Sequence, residues 1–140
     1  MRYMPIIAGF ATFLSFFACN AFSQELEVGQ IWKYNCRSNE TDSTMTIVQI
    51  DKDVIHVSVS GLKIKDPDAE DGISKSIRHL PLSPKSFNSS KTALVGFTKT
   101  LPEFEEGLSD WYKAKAKGEA SAISLPLIDV IRQVEIMINQ

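Results

Sequence analysis

Residues 54–65 read VIHVSVSGLKIK. Ile55, Val57 and Val59 are apolar, and His56, Ser58 and Ser60 between them are polar. A period of two puts the first set on one face of a strand and the second set on the other. The apolar phase then slips to Leu62 and Ile64, with Gly61 at the slip. A residue added to one strand reverses its alternation, so a β-bulge or sharp bend is expected at Gly61.

Upstream, residues 43–51 are rich in β-branched side chains and predict a second strand, with Thr44, Thr46, Val48 and Ile50 on one face. Asp51-Lys52-Asp53 turns this strand into the next. Earlier still, Trp32, Tyr34 and Cys36 alternate with Lys33, Asn35 and Arg37, which predicts a strand over 31–37 ahead of the turn cluster SNETD at 38–42. Strands joined by short turns imply an antiparallel meander. Downstream, DPDAEDG at 66–72 is an acidic loop. Residues 74–82 predict a shorter fourth strand, in which Ile77, His79 and Pro81 alternate with Arg78, Leu80 and Leu82.

The pattern then turns helical. Ser83 and Pro84 suit an N-cap and a first helical position. Phe87, Lys91, Leu94 and Val95 form a rough stripe, and Gly96 would end that helix. A second helix follows Leu101-Pro102, with Phe104, Leu108, Trp111, Tyr112 and Lys115 on one face and Gly118 as its stop. Glu103, Glu105 and Glu106 suit the positive end of its dipole. Residues 121–125 suggest a short strand. Pro126 opens a last helix whose apolar face is Leu127, Val130, Ile131, Val134, Met137 and Ile138. Strands first and helices later give an α+β class, an antiparallel sheet of four to five strands with about three helices packed on one face.

The first residues carry a different message. MRYMPIIAGFATFLSFFACNAFS, 1–23, has Arg2 ahead of an apolar run from Met4 to Ala18, then small residues at Ala21 and Ser23. The run is shorter than the roughly 20 apolar residues of a membrane span. It has the form of a signal peptide cleaved before Gln24. This reading assigns residues 24–140 to a single domain, periplasmic or secreted, without a transmembrane helix. A competing route ends the signal at Phe17-Ala18-Cys19 and anchors the chain by a lipid on Cys19. Either route leaves Cys36 as the one thiol of the domain, best read as a small buried apolar side chain. The net charge of −2 argues against a nucleic-acid partner, since phosphate binding needs a clustered basic surface. Lys113, Lys115 and Lys117 are the densest basic run and read as a solvated helix face.

Four phrases together resemble a family of small bacterial proteins with no assigned function. They are W-x-Y-x-x-R at Trp32, Tyr34 and Arg37; IHVSVSGLKIKDP at 55–67; IRHLPLS at 77–83; and LPEFEEGLSDW at 101–111. The chain departs from it at Gly118-Glu119-Ala120-Ser121, where the family tends to a second Gly. The resemblance implies one compact domain and no reaction.

Chemistry is sparse. If the third and fourth strands pair antiparallel, His56 and His79 come within reach of each other. A metal would then need a third ligand, such as Asp66, Asp68 or Glu70. The same acidic loop lacks the Gly and Glu positions of a calcium-binding EF-hand. There is no G-x-S-x-G elbow and no Gly-rich phosphate loop. Glu103, Glu105 and Glu106 are better explained by the helix dipole than as a glycosidase pair. No catalytic residue, cofactor or metal ligand is therefore assigned. The leading expectation is an exported, non-catalytic protein of the bacterial envelope that binds another macromolecule, such as a protein, as an inhibitor, immunity protein or accessory factor. The alternative is a small periplasmic enzyme or metal-binding protein using His56 and His79.

Overall fold

The slip at Gly61 is the hinge of the architecture. A computed structural model describes residues 25–140. The signal peptide expected over 1–23 and the lipid site expected at Cys19 lie outside these residues. The elements are β1 (Gln30–Tyr34), β2 (Thr44–Ile50), β3 (Ile55–Lys65), β4 (Ile73–Leu82), α1 (Pro84–Ser90), β5 (Lys91–Phe97), α2 (Glu105–Ala116) and α3 (Leu127–Ile138). The strands form one sheet in the order β4-β3-β2-β1-β5, and every neighbouring pair is antiparallel. The chain is thus α+β, a five-stranded antiparallel sheet with three helices.

Ile55, Val57 and Val59 before Gly61, and Leu62 and Ile64 after it, all enter the same core. Two alternations of opposite phase can share a face only if the strand bends between them. The β3–β4 register shifts between Ser60 and Ile64, and Gly61 has φ +74°. A Cβ on Gly61 would stand 3.0 Å from the Asp42 carbonyl oxygen and the Ser43 Cα. Gly61→Ala is therefore expected to cost about 1–3 kcal/mol, read as a lower urea midpoint at unchanged slope.

The inner face of β2 differs from the expected one. Met45 and Ile47 enter the core, not the Thr44–Ile50 set. Met45 pairs with Val59 and Trp32, and Ile47 with Val57, so the register follows the strongest apolar strand. A shift between Ile47 and Gln49 leaves Val48 buried away from that core and Ile50 exposed.

The helix expected over 84–96 stops at Ser90. Ser83 caps its start as expected, its hydroxyl accepting the Ser86 N–H at 3.0 Å. Residues 91–97 then become β5, because β1 has a free edge to satisfy. The Asn35 N–H donates to the Ser90 carbonyl, and the Thr98 N–H to that of Gly29. Thr92, Val95 and Gly96 are weak helix formers and yield readily to strand pairing.

The strand expected over 121–125 is reduced to a single parallel bridge from Ile123 to Leu82. In α3, Leu127, Val130 and Ile131 are buried and Val134 and Ile138 pack beside them, while Met137 faces solvent. Phe87 of α1 joins them, so α1 and α3 cover the inner face.

The third helix lies elsewhere. His56 sits between Ile55 and Val57 and so points out of the opposite face. Trp111 and Tyr112 of α2 pack on its ring there, with centroids 5.1 and 5.9 Å away. Helices therefore occupy both faces, where the sequence pattern predicted one. Alternation marks the His56–Ser58 face as polar, yet His56 is 0% exposed, because Trp111 and Tyr112 of α2 cover its ring while Asp51 and His79 satisfy its nitrogens. Among the described residues, no helix is long and apolar enough to cross a membrane.

Candidate functional site

The β3–β4 ladder brings the two histidines together. Val57 stands opposite Leu80, and Val59 opposite Ile77, so Arg78 and His79 both face Ser58. Leu80 enters the core, so alternation places its neighbour His79 on the outer face beside His56, and the extra residue returns Ile77 to the inner face. His56 Nδ1 lies 2.8 Å from His79 Nε2, and the rings stack at 5.0 Å with 22° between planes. His56 Nε2 lies 2.8 Å from Asp51 Oδ2. The Tyr112 hydroxyl donates to the same oxygen at 2.7 Å, and the Gln49 amide donates to Asp51 Oδ1 at 3.3 Å. Gly107 closes the site from α2: a Cβ there would come 2.9 Å from the His79 Cβ, so only glycine permits this approach.

An ionised Asp51 only accepts, so His56 donates to it from Nε2. One proton lies between His56 Nδ1 and His79 Nε2, and the tautomers decide which nitrogen carries it. Burial and the neighbouring His56 push the His79 imidazole down to about 4, which keeps it neutral near pH 7. Burial raises the Asp51 carboxyl, but hydrogen bonds from Tyr112, His56 and Gln49 outweigh this and hold it below its usual range. The bond to Asp51 raises the Tyr112 hydroxyl.

A carboxylate–imidazole–imidazole chain can relay a proton. Here the Tyr112 hydroxyl caps the Asp51 end, and beyond His79 the chain meets no hydrogen-bonded hydroxyl or thiol among the described residues. Nor does it suit a metal. Two nitrogens on one tetrahedral zinc stand about 3.3 Å apart, and these two share a proton at closer range. Among the described residues, no group of three His, Cys, Asp or Glu is placed to hold a metal ion.

The acidic partner is Asp51, not the loop carboxylates the sequence offered. Asp66 accepts the N–H of Asp68, and Asp71 that of Ile73, as turn residues do. Asp51 read only as a turn residue. Its signal was its place at the mouth of the β2–β3 turn, five residues before His56. A cleft of about 300 Å³ lies next to the pair, lined by Arg78, Glu103, Phe104, Glu105, Glu106 and Gly107, and neither imidazole lines it. Its glutamates ring the start of α2, where the dipole favours them, with Glu103 3.6 Å from Arg78. Cys36 is half-buried against the core, and its thiol is free.

A second feature lies at the opposite edge of the sheet. Leu94, Val95 and Phe97 of β5 are 37%, 52% and 57% exposed. Leu94 stands opposite Trp32 and Phe97 opposite Gln30, so both continue the inner face past the last covered strand. From Thr92 to Phe97 there is no charge. The one cation, Lys91, is drawn inward, its ammonium 5.0 Å over the Trp32 ring and 5.8 Å over that of Phe87. Among the described residues, nothing pairs with the outer edge of β5. The β4 edge is protected differently. Pro81 removes a donor, Ile123 bridges to Leu82, and Lys75 and Arg78 carry charge.

Comparison with models of known protein families, with curated proteins and with solved structures finds no match.

Proposed function

We propose that the chain is an exported, non-catalytic binding protein of the bacterial envelope that takes an extended segment of another protein as a sixth strand along β5. The observation that supports it is the β5 edge: unpaired among the described residues, uncharged from Thr92 to Phe97, and bearing three exposed apolar side chains. A free edge supplies backbone donors and acceptors, and its side chains supply specificity. Protein sheets ordinarily block such an edge with Lys or Pro, as β4 does; residues 92–97 of β5 carry neither, although the pairing with β1 shifts register at Thr92 and Val95. Export rests on residues 1–23, with periplasmic or secreted residence; lipidation at Cys19 would tether the same domain to the membrane.

The test places a photo-crosslinking residue at Val95 in the full chain, with Lys75 on β4 as the control position. Crosslinking to one partner from Val95 alone is expected. The double variant Val95→Lys/Phe97→Lys should keep its thermal midpoint and lose at least about tenfold in capture, because the added charges oppose strand addition. Equal capture from both positions, or capture by the double variant, contradicts the reading.

A second reading, a small enzyme or metal-binding protein working through His56 and His79, gains the acid it needs in Asp51. It requires the pair to open. Stoichiometric zinc in a native mass spectrum, lost in His79→Gln, would favour it over the first.

A further inference from the structure

We propose that the Asp51–His56–His79 chain is an acid-released catch that holds α2 on the outer face of the sheet. This stands apart from the β5 reading. α2 buries only Trp111, so little apolar surface anchors it. Leu108 and Ala114 are half-buried, and α2 meets the histidine site at three points: Trp111 against His56, the Tyr112 hydroxyl on Asp51, and Gly107 against His79. One weak bond, from Trp111 Nε1 to the Ser121 carbonyl at 3.4 Å, lies outside it.

The two imidazoles share a single proton between His56 Nδ1 and His79 Nε2. Once both rings are cationic, each presents an N–H to the other at that distance, and the contact turns repulsive. The surroundings cannot absorb the second charge. Among the described residues, Asp51 is the one anion hydrogen-bonded to the pair, and its bond is to His56. Gln49 of β2 is neutral, as is the Tyr112 hydroxyl of α2. Lys115 of α2 lies 5.2 Å over the Trp111 ring and adds positive charge. Arg78 of β4 is exposed and engages Glu103 at 3.6 Å. Gly107 lies against His79 on its α2 side, so a displaced ring moves the helix with it.

The sign follows from linkage. His79 is held near 4 while α2 is docked and returns toward 6.5 when it is released. The released form binds more protons between those values, so docking weakens as pH falls through this window and levels off below it. Allowing for solvent screening of a half-buried ring, the docking equilibrium should fall roughly tenfold between pH 7 and pH 5.

Hydrogen exchange of the full domain, corrected for intrinsic rates, tests this. Protection of α2 amides should fall about tenfold at pH 5 while β2 and β3 keep theirs. His79→Gln keeps a donor to His56 and does not titrate, so its α2 protection should be the same at both pH values. Unchanged protection in the wild type at pH 5 overturns the proposal, as does an equal loss in His79→Gln. A ring-proton titration by NMR gives an independent check that needs no variant. His79 titrating near 6.5 with α2 still protected also overturns it.

Discussion

Arg37→Ala is expected to destabilise the fold by about 3–5 kcal/mol, a large part of the 5–15 kcal/mol typical of a domain. Arg37 follows β1, and its fork meets both oxygens of Glu40 at 2.8 Å. The third guanidinium nitrogen donates to Glu135 of α3 at 2.9 Å. Each carboxylate then takes a backbone N–H from the far half of β3: Glu40 that of Lys63 and Glu135 that of Lys65, both at 2.7 Å. These amides lie just past the Gly61 bend, where side chains replace part of the ladder. The Glu40 side chain is 0% exposed. Burial pushes its carboxyl up, but Arg37 and the Lys63 N–H outweigh this and hold it below the usual range. A lowered carboxyl gives stability that is full above its unfolded value and lost as pH falls through its folded one. Without Arg37 the buried carboxylate has no counter-charge. Urea unfolding followed by circular dichroism should show the loss, with less of the wild type's acid dependence. Arg37→Lys should recover only part of it, since an ammonium cannot fork onto two oxygens.

Phe87→Ala is expected to cost about as much, roughly 3–5 kcal/mol, through the cavity it leaves. Phe87 is fully buried, and its ring meets Trp32 edge-on at 5.9 Å and 83°. It is also the only large apolar side chain of α1, a helix of seven residues that cannot persist unaided. β5 begins directly after it, so the variant should loosen the edge strand as well as the core. Thermal unfolding gives the first effect, and faster exchange of β5 amides gives the second. A stability loss below about 1 kcal/mol would mean that α1 is not seated on the sheet as described.

What the sequence revealed was local chemistry. The reversed alternation around Gly61, the Ser83 cap, the Gly118 stop and the Pro126 start are each written within a few residues, and the chain follows them. Gly118 has φ +74°, and the Glu119 N–H closes back onto the Ala114 carbonyl. What stayed hidden was set by partners distant in sequence. Phe87, Lys91, Leu94 and Val95 fit a helical stripe as well as a strand, and the free edge of β1 decides between them. Met45 is neither β-branched nor aromatic and so gives no strand signal of its own, yet the register with Val59 places it in the core. His56 and His79 were legible as a pair because adjacent strands were expected to juxtapose them. Asp51 and Tyr112 were not, since one sits in a turn and the other arrives on a helix 61 residues away.

The most direct measurement is of what β5 touches in the native host. With the crosslinking residue at Val95, the account predicts a single protein partner joined through an extended segment. It also predicts loss of that adduct in Val95→Lys/Phe97→Lys while the fold survives. An unmodified monomer from Val95 in the native host, or the same adduct from Lys75, would contradict it.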